Sequence, residues 1–279
     1  PRRKPVTTAM VQCAVLATGI ALPAWSAPTG SAPTGSAPAC HLASGAQRTP
    51  VLELYTSEGC SSCPPADRWL SMTFDASRPK IHAVPLAFHV DYWDRLGWPD
   101  RFSDHAYSLR QNEVARRARS RTVYTPQFVL DGADAGPGGI AVRLASHTAA
   151  AAREPAARAI TADVARSPDG GLRVVGVSAP TSGDGAARGG DTYVVLYQNG
   201  LTSPIAAGEN AGRTLRHDFV VRRFSGPFSA DASGRANFDV RWSAPPEFRA
   251  ESAGVAVFTE DPVTGRTLQA VAGPLCPGG

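Results

Sequence analysis

Hydrophobic and polar positions follow two different rhythms along this chain. Val51, Leu52, Leu54 and Tyr55 make a short apolar run of strand-forming residues, 56–59 breaks it, and after Cys60-Ser61-Ser62-Cys63 the stretch 66–70 resumes with helical spacing. That order is strand, turn, paired cysteines, helix. Residues 81–89 are apolar enough for a second, central strand, and 91–99 is a loop rich in aromatic side chains. Ser103 opens a helix in which Tyr107, Leu109, Val114 and Ala118 supply the buried face, with Asp104 early and arginines late as the helix dipole prefers. Pro126 then opens an apolar strand ending in an Asp131-Gly132 hairpin turn, and 139–152 reads as one more helix. From residue 156 the helical period disappears. Runs at 160–164, 172–177, 192–198, 215–224, 236–242 and 255–259 are short strands of β-branched and aromatic residues, separated by loops rich in Gly, Pro, Ser and Asp.

This change of rhythm predicts an α/β domain over 40–154 followed by an all-β, sandwich-like domain over 155–279, each of roughly 115 residues. What precedes them is of another kind. Residues 1–26 carry the marks of a secretory signal: Arg2, Arg3 and Lys4, then an apolar stretch shorter than a membrane span, then small residues at its end. Residues 27–39 repeat Ser-Ala-Pro-Thr-Gly, which cannot build a core and predicts a disordered linker. The expected mature protein is periplasmic or secreted, with no stable membrane span once the signal is cleaved. Charge changes with it: 28 Lys plus Arg stand against 24 Asp plus Glu, and without Arg2, Arg3 and Lys4 the balance is 25 against 24. No basic stripe with interleaved aromatics remains, which argues against nucleic acid as a partner.

Of five cysteines, Cys13 lies in the signal segment and four remain. A cysteine at a helix N-terminus faces unpaired N–H groups and the positive end of the dipole, which favour thiolate. Cys60 is therefore expected to be the exposed nucleophile, and Cys63, about one turn on, the resolving thiol. The same spacing also serves half a zinc site or a structural staple. No second ligand pair of similar spacing occurs, however, and Pro64 in place of His after Cys63 excludes c-type haem attachment. In an oxidising compartment Cys40 and Cys276 are expected to form a structural disulfide, the alternative being two independent tail thiols.

The strand opened by Thr125-Pro126 resembles the strand of thioredoxin-fold proteins whose first residue is a cis-proline facing two cysteines. More widely, the runs 53–67, 89–94, 96–98 and 124–127, with 208–215 and His217 further on, are similar to the secreted bacterial thioredoxin-like family called domain of unknown function 1223. The resemblance implies a thioredoxin-like fold for 40–154 and thiol–disulfide chemistry at Cys60 and Cys63, with Thr125 and Pro126 beside them. It further implies a role for Glu53, about where such proteins keep a buried acid that takes the proton of the resolving thiol; the alternative is a carboxylate satisfied by its neighbours. Ser61-Ser62 stands where thioredoxin has Gly-Pro, so a redox potential does not carry over.

Other residues have two readings each. His89 and Asp91 follow the second strand as a base, a metal ligand or a structural pair. Tyr92, Trp93 and Trp98 line a substrate groove or fill a core. Glu209, Asn210, Arg213 and His217 hold a loop or a domain interface. The function expected is that of an exported thiol–disulfide oxidoreductase acting on protein or small-molecule disulfides and thiols, with no dissociable cofactor. The alternative is a non-catalytic periplasmic binding protein, a Cu(I) carrier using Cys60, Cys63 and His89, because soft thiolates suit Cu(I).

Overall fold

A computed structural model describes residues 40–276 apart from 79, 137, 168–169 and 182–188. The expected signal (1–26) and linker (27–39) lie outside the described residues. The first half runs β1 (Cys40–Ala43), β2 (Val51–Thr56), α1 (Pro64–Thr73), β3 (Val84–His89), a 3-10 turn (Asp91–Leu96), α2 (His105–Arg117), β4 (Gln127–Leu130), β5 (Ala133–Asp134) and α3 (Ile140–Ala151). The second half is built of strands with one 3-10 turn (Ala250–Ser252) before β13: β6 (Arg158–Arg166), β7 (Leu172–Pro180), β8 (Asp191–Gln198), β9 (Leu201–Pro204), β10 (Thr214–His217), β11 (Val220–Ser229), β12 (Ala236–Trp242), β13 (Ala253–Glu260) and β14 (Thr267–Pro274).

The two halves share one sheet. Its order is β14-β13-β8-β11-β3-β2-β4-β5, and the junction is a parallel contact of β11 with β3 at Val220 and Ala87, where the Ala87 amide donates to Phe219 O at 2.8 Å. β2 lies inside this sheet, parallel to β3 and antiparallel to β4, which is why its six residues are buried on both faces. Side chains alternate along it. Leu52 and Leu54 pack with Leu70 of α1 and Leu144 of α3, while Val51 and Tyr55 face the opposite side with Tyr107 and Val114 of α2. The α2-side core continues into Tyr193, Val195 and Phe258 of the second half, across the boundary expected at 154/155. A second sheet, β1-β6-β7-β12, shares a core with Val194, Leu196, Val255 and Val257 of the first.

Local rules explain several boundaries. Asp131 and Gly132 have φ of 57° and 79°, the positive pair that a two-residue hairpin turn between β4 and β5 requires. Asp104 caps α2 rather than entering its first turn, accepting from the Ala106 amide at 2.9 Å. The strand expected over 215–224 is broken: Phe219 turns back at φ 59°, so β10 pairs with β9 and β11 joins the large sheet.

The buried face of α2 differs from the expected one. Leu109 is 56 % exposed and Ala118 is exposed, whereas Arg110 and Gln111 are buried. Arg110 turns inward because two carboxylates wait for it. It donates to Glu53 at 2.8 and 2.9 Å and to Glu260 of β13 at 3.0 Å, amid the rings of Phe88, Tyr193, Phe224 and Phe258.

Candidate active site at the cysteine loop

The chain leaves β2 at Thr56 and tightens into two successive turns, with the Cys60 amide on Ser57 O and the Cys63 amide on Cys60 O, each at 3.2 Å. Cys63 is the N-cap of α1; its carbonyl accepts from the amides of Ala66 and Asp67. Pro64 and Pro65 occupy the first two helical positions, where a missing N–H costs nothing. Cys60 and Cys63 are joined as a disulfide, and Cys40 and Cys276 form the second one.

Ser61 and Ser62 are exposed, but both sulfur-bearing residues are fully buried, and this corrects the expectation of an exposed Cys60. A segment from the second half of the chain is bonded to this loop. Between β9 and β10, Asn210 donates its carboxamide to the carbonyls of Glu58 (2.8 Å) and Cys60 (3.0 Å), and the Glu209 carboxylate accepts from the Ser61 amide (3.0 Å). Arg213 donates to Asn210 Oδ1 at 2.6 Å, fixing the carboxamide with its donors toward the cysteine loop. The pair of hydrogen bonds made by Asn210 is worth about 2 kcal/mol. Asn210→Ala should therefore speed reduction of Cys60–Cys63 by a small dithiol on the order of tenfold while leaving Cys40–Cys276 unaffected. Timed alkylation with mass mapping measures both, and an unchanged Cys60–Cys63 rate would show that the cover lies elsewhere.

Behind the loop lies a cluster of five buried titratable groups: Glu58, Asp67, His89, Asp100 and His217. Asp100 binds His89 Nδ1 at 2.6 Å and accepts from the amides of Glu58 and Phe102. Burial disfavours the His89 imidazolium, but Asp100, with Asp67 and Glu58 beyond it, outweighs that and raises its pKa to about 9. Glu58 accepts from the Trp98 indole at 2.8 Å. Burial works to raise Glu58, yet the nearby His217, Ser203 and Trp98 side chains hold it below the ordinary carboxylate range. Asp67 sits one helical turn after Cys63 and accepts from Thr56 Oγ1 at 3.2 Å; burial raises its carboxyl.

The other candidates fall as follows. The Thr125–Pro126 peptide is cis, and Trp93 ties it toward the loop: its indole donates to Thr125 Oγ1 at 2.8 Å, and its Cβ lies 3.2 Å from where a Cβ on Gly59 would stand. Glu53 faces away from α1, because alternation along β2 sends it to the α2 side, where Arg110 and the Tyr55 hydroxyl take both its oxygens. The acid on the α1 side is Asp67. Asp91 accepts from Ser108 and pairs with the exposed His105, not with His89. For Cu(I), His89 has Nδ1 committed to Asp100, and among the described residues no three His, Cys, Asp or Glu side chains are arranged to hold a metal ion.

Asp67 was discoverable from its i+4 spacing to Cys63. Asn210 and His217 carry no such local signal, since they reach the loop from about 150 residues away. Among the described residues no helix is long and apolar enough to cross a membrane.

No curated protein matches this chain. Among solved structures, a crystal structure of a structural-genomics target from Agrobacterium tumefaciens is similar at 25 % identity and a TM-score of 0.55, over 81 % of this chain and 93 % of that one. HBP35 of Porphyromonas gingivalis is similar in fold at 12 % identity and a TM-score of 0.61, over 83 % of this chain and 76 % of that one. Residues 51–260 match the model of the family described as protein of unknown function DUF1223, and the chain belongs to that family.

Proposed function

We propose that this protein is an exported thiol–disulfide oxidoreductase with a thioredoxin-like site. The observation that carries the proposal is the Cys60–Cys63 disulfide closed onto the N-terminus of α1, with the Asp67 carboxylate buried one turn behind Cys63. Two disulfides also suit an oxidising compartment. In the reduced protein the helix N-terminus favours thiolate, Cys60 attacks a substrate disulfide, and Cys63 resolves the mixed disulfide. Asp67 is the base for the Cys63 thiol, a task for which its raised pKa is better matched than an ordinary carboxylate. Substrate main chain would pair beside Thr125 and Pro126, in the manner of an added strand. Because the sulfurs are covered, exchange requires the Glu209–Asn210 segment to lift.

The two sulfurs differ in role, and that asymmetry supplies the test. Cys63→Ser should accumulate mixed disulfides through Cys60 when expressed in a periplasm, and Cys60→Ser should trap nothing. Non-reducing electrophoresis followed by mass spectrometry reads the outcome. If neither variant traps a partner and the reduced wild type binds Cu(I) in a His89-dependent way, the carrier alternative replaces this reading.

A further inference from the structure

Both ring nitrogens of His217 lack a hydrogen-bond partner although its side chain is only 2 % exposed. Nε2 stands 3.4 Å from Oε1 of Glu58, an oxygen that is itself unpartnered, and Nδ1 stands 4.0 Å from Oδ2 of Asp67. Burying so many unpaired polar atoms is costly and calls for an explanation. A transient stop for a proton supplies one: an imidazole that takes up a proton donates from both nitrogens, toward a carboxylate on either side. The remaining charged groups of the cluster do not compete for it: Asp100 from the segment before α2 is occupied by His89 of β3 and by two backbone amides.

We propose that His217, supplied by β10 in the second half of the chain, holds the proton that Cys63 gives up during resolution, receiving it through Asp67. This rests on the thiol–disulfide reading above. In the oxidising direction the Cys60 thiolate bonds to one sulfur of a substrate disulfide and expels the other as a thiolate. The Cys63 thiol passes its proton to Asp67 and on to His217. Its thiolate then attacks Sγ of Cys60, closing the Cys60–Cys63 bond and expelling the second substrate thiolate. Two electrons move from the cysteine pair to the substrate disulfide, the expelled thiolates are protonated by solvent, and His217 returns its proton to solvent after closure. Asp67 follows Cys63 by four residues on α1, a spacing that puts both on one helix face, and its Oδ2 is 4.0 Å from His217 Nδ1, so a path from thiol to imidazole runs through it.

Glutathione disulfide is the probe. Reduced protein is mixed with it, quenched by acid and alkylation, and the glutathionylated species followed by mass spectrometry across a pH series. His217→Gln should leave formation of the mixed disulfide within about twofold and slow its decay by at least about tenfold at neutral pH. Its decay should also follow the thiolate fraction of Cys63, steepening with pH relative to wild type; a merely structural role would leave the two pH profiles parallel. Equal decay with equal pH dependence overturns the proposal while leaving the exchange chemistry standing. Absence from the wild type of both mixed disulfide and newly closed Cys60–Cys63 disulfide overturns both. Should His217→Gln fail to fold by circular dichroism, Glu58→Gln takes its place, since its amide oxygen still accepts from Trp98 while the charge beside the imidazole is gone. Unslowed decay in that variant likewise overturns the role of His217.

Discussion

Replacing Arg110 with alanine is expected to cost about 4 kcal/mol of folding stability, measured as the shift of the urea midpoint at constant slope. The size follows from what would be left behind. Glu53 and Glu260 are 3 % and 2 % exposed, so deleting the guanidinium strands two buried carboxylates in an aromatic enclosure. Arg117 would still reach Glu260 at 2.9 Å, but Glu53 would keep only the Tyr55 hydroxyl. Arg110→Met combined with Glu53→Gln and Glu260→Gln should recover much of the loss, because the penalty comes from unpaired charge rather than from lost attraction. Since Arg110 joins β2 to β13, tryptophan fluorescence and far-ultraviolet dichroism should report the same single transition in every variant. A loss below about 1 kcal/mol would mean that water reaches the carboxylates and the enclosure is not closed.

Raising the pH from neutrality should weaken the fold through His89. Its folded pKa of about 9 lies above the ordinary 6.5, so its contribution is fully present below pH 6.5 and is lost as pH rises through about 9. The difference corresponds to on the order of 3 kcal/mol. Isothermal urea titrations at several pH values should show stability falling across that window, and His89→Gln should remove the slope while lowering stability at pH 6.5. A flat wild-type profile would mean that Asp100 does not stabilise the imidazolium.

Where the sequence could be read, short-range chemistry made it legible. Asp131-Gly132 specifies its turn from two residues, and the arrangement strand, Cys60, Cys63, helix needs no distant partner. Cys40 and Cys276 were paired by elimination once Cys13 was set aside with the expected signal, and the structure has that bond. Long-range partners escaped. Arg110 was absent from the face expected to be buried in α2, because its acids lie 57 and 150 positions away. The short run Cys40–Ala43 had no strand signature of its own and is ordered by pairing with β6, more than a hundred residues on. Likewise, nothing near Cys60 announces that Asn210 bonds to its carbonyl. A change from helical to strand rhythm at residue 156 is real, but a rhythm carries no information about which strands lie side by side, and β11 settles beside β3.

Cys40 and Cys276 have Cα atoms 5.5 Å apart across 236 positions of sequence, so the polypeptide between them is covalently a ring. A protease that cuts one surface loop opens that ring without dividing the molecule. Release of a fragment then takes two cuts, or one cut together with reduction, and a nicked copy remains a single particle in an oxidising environment.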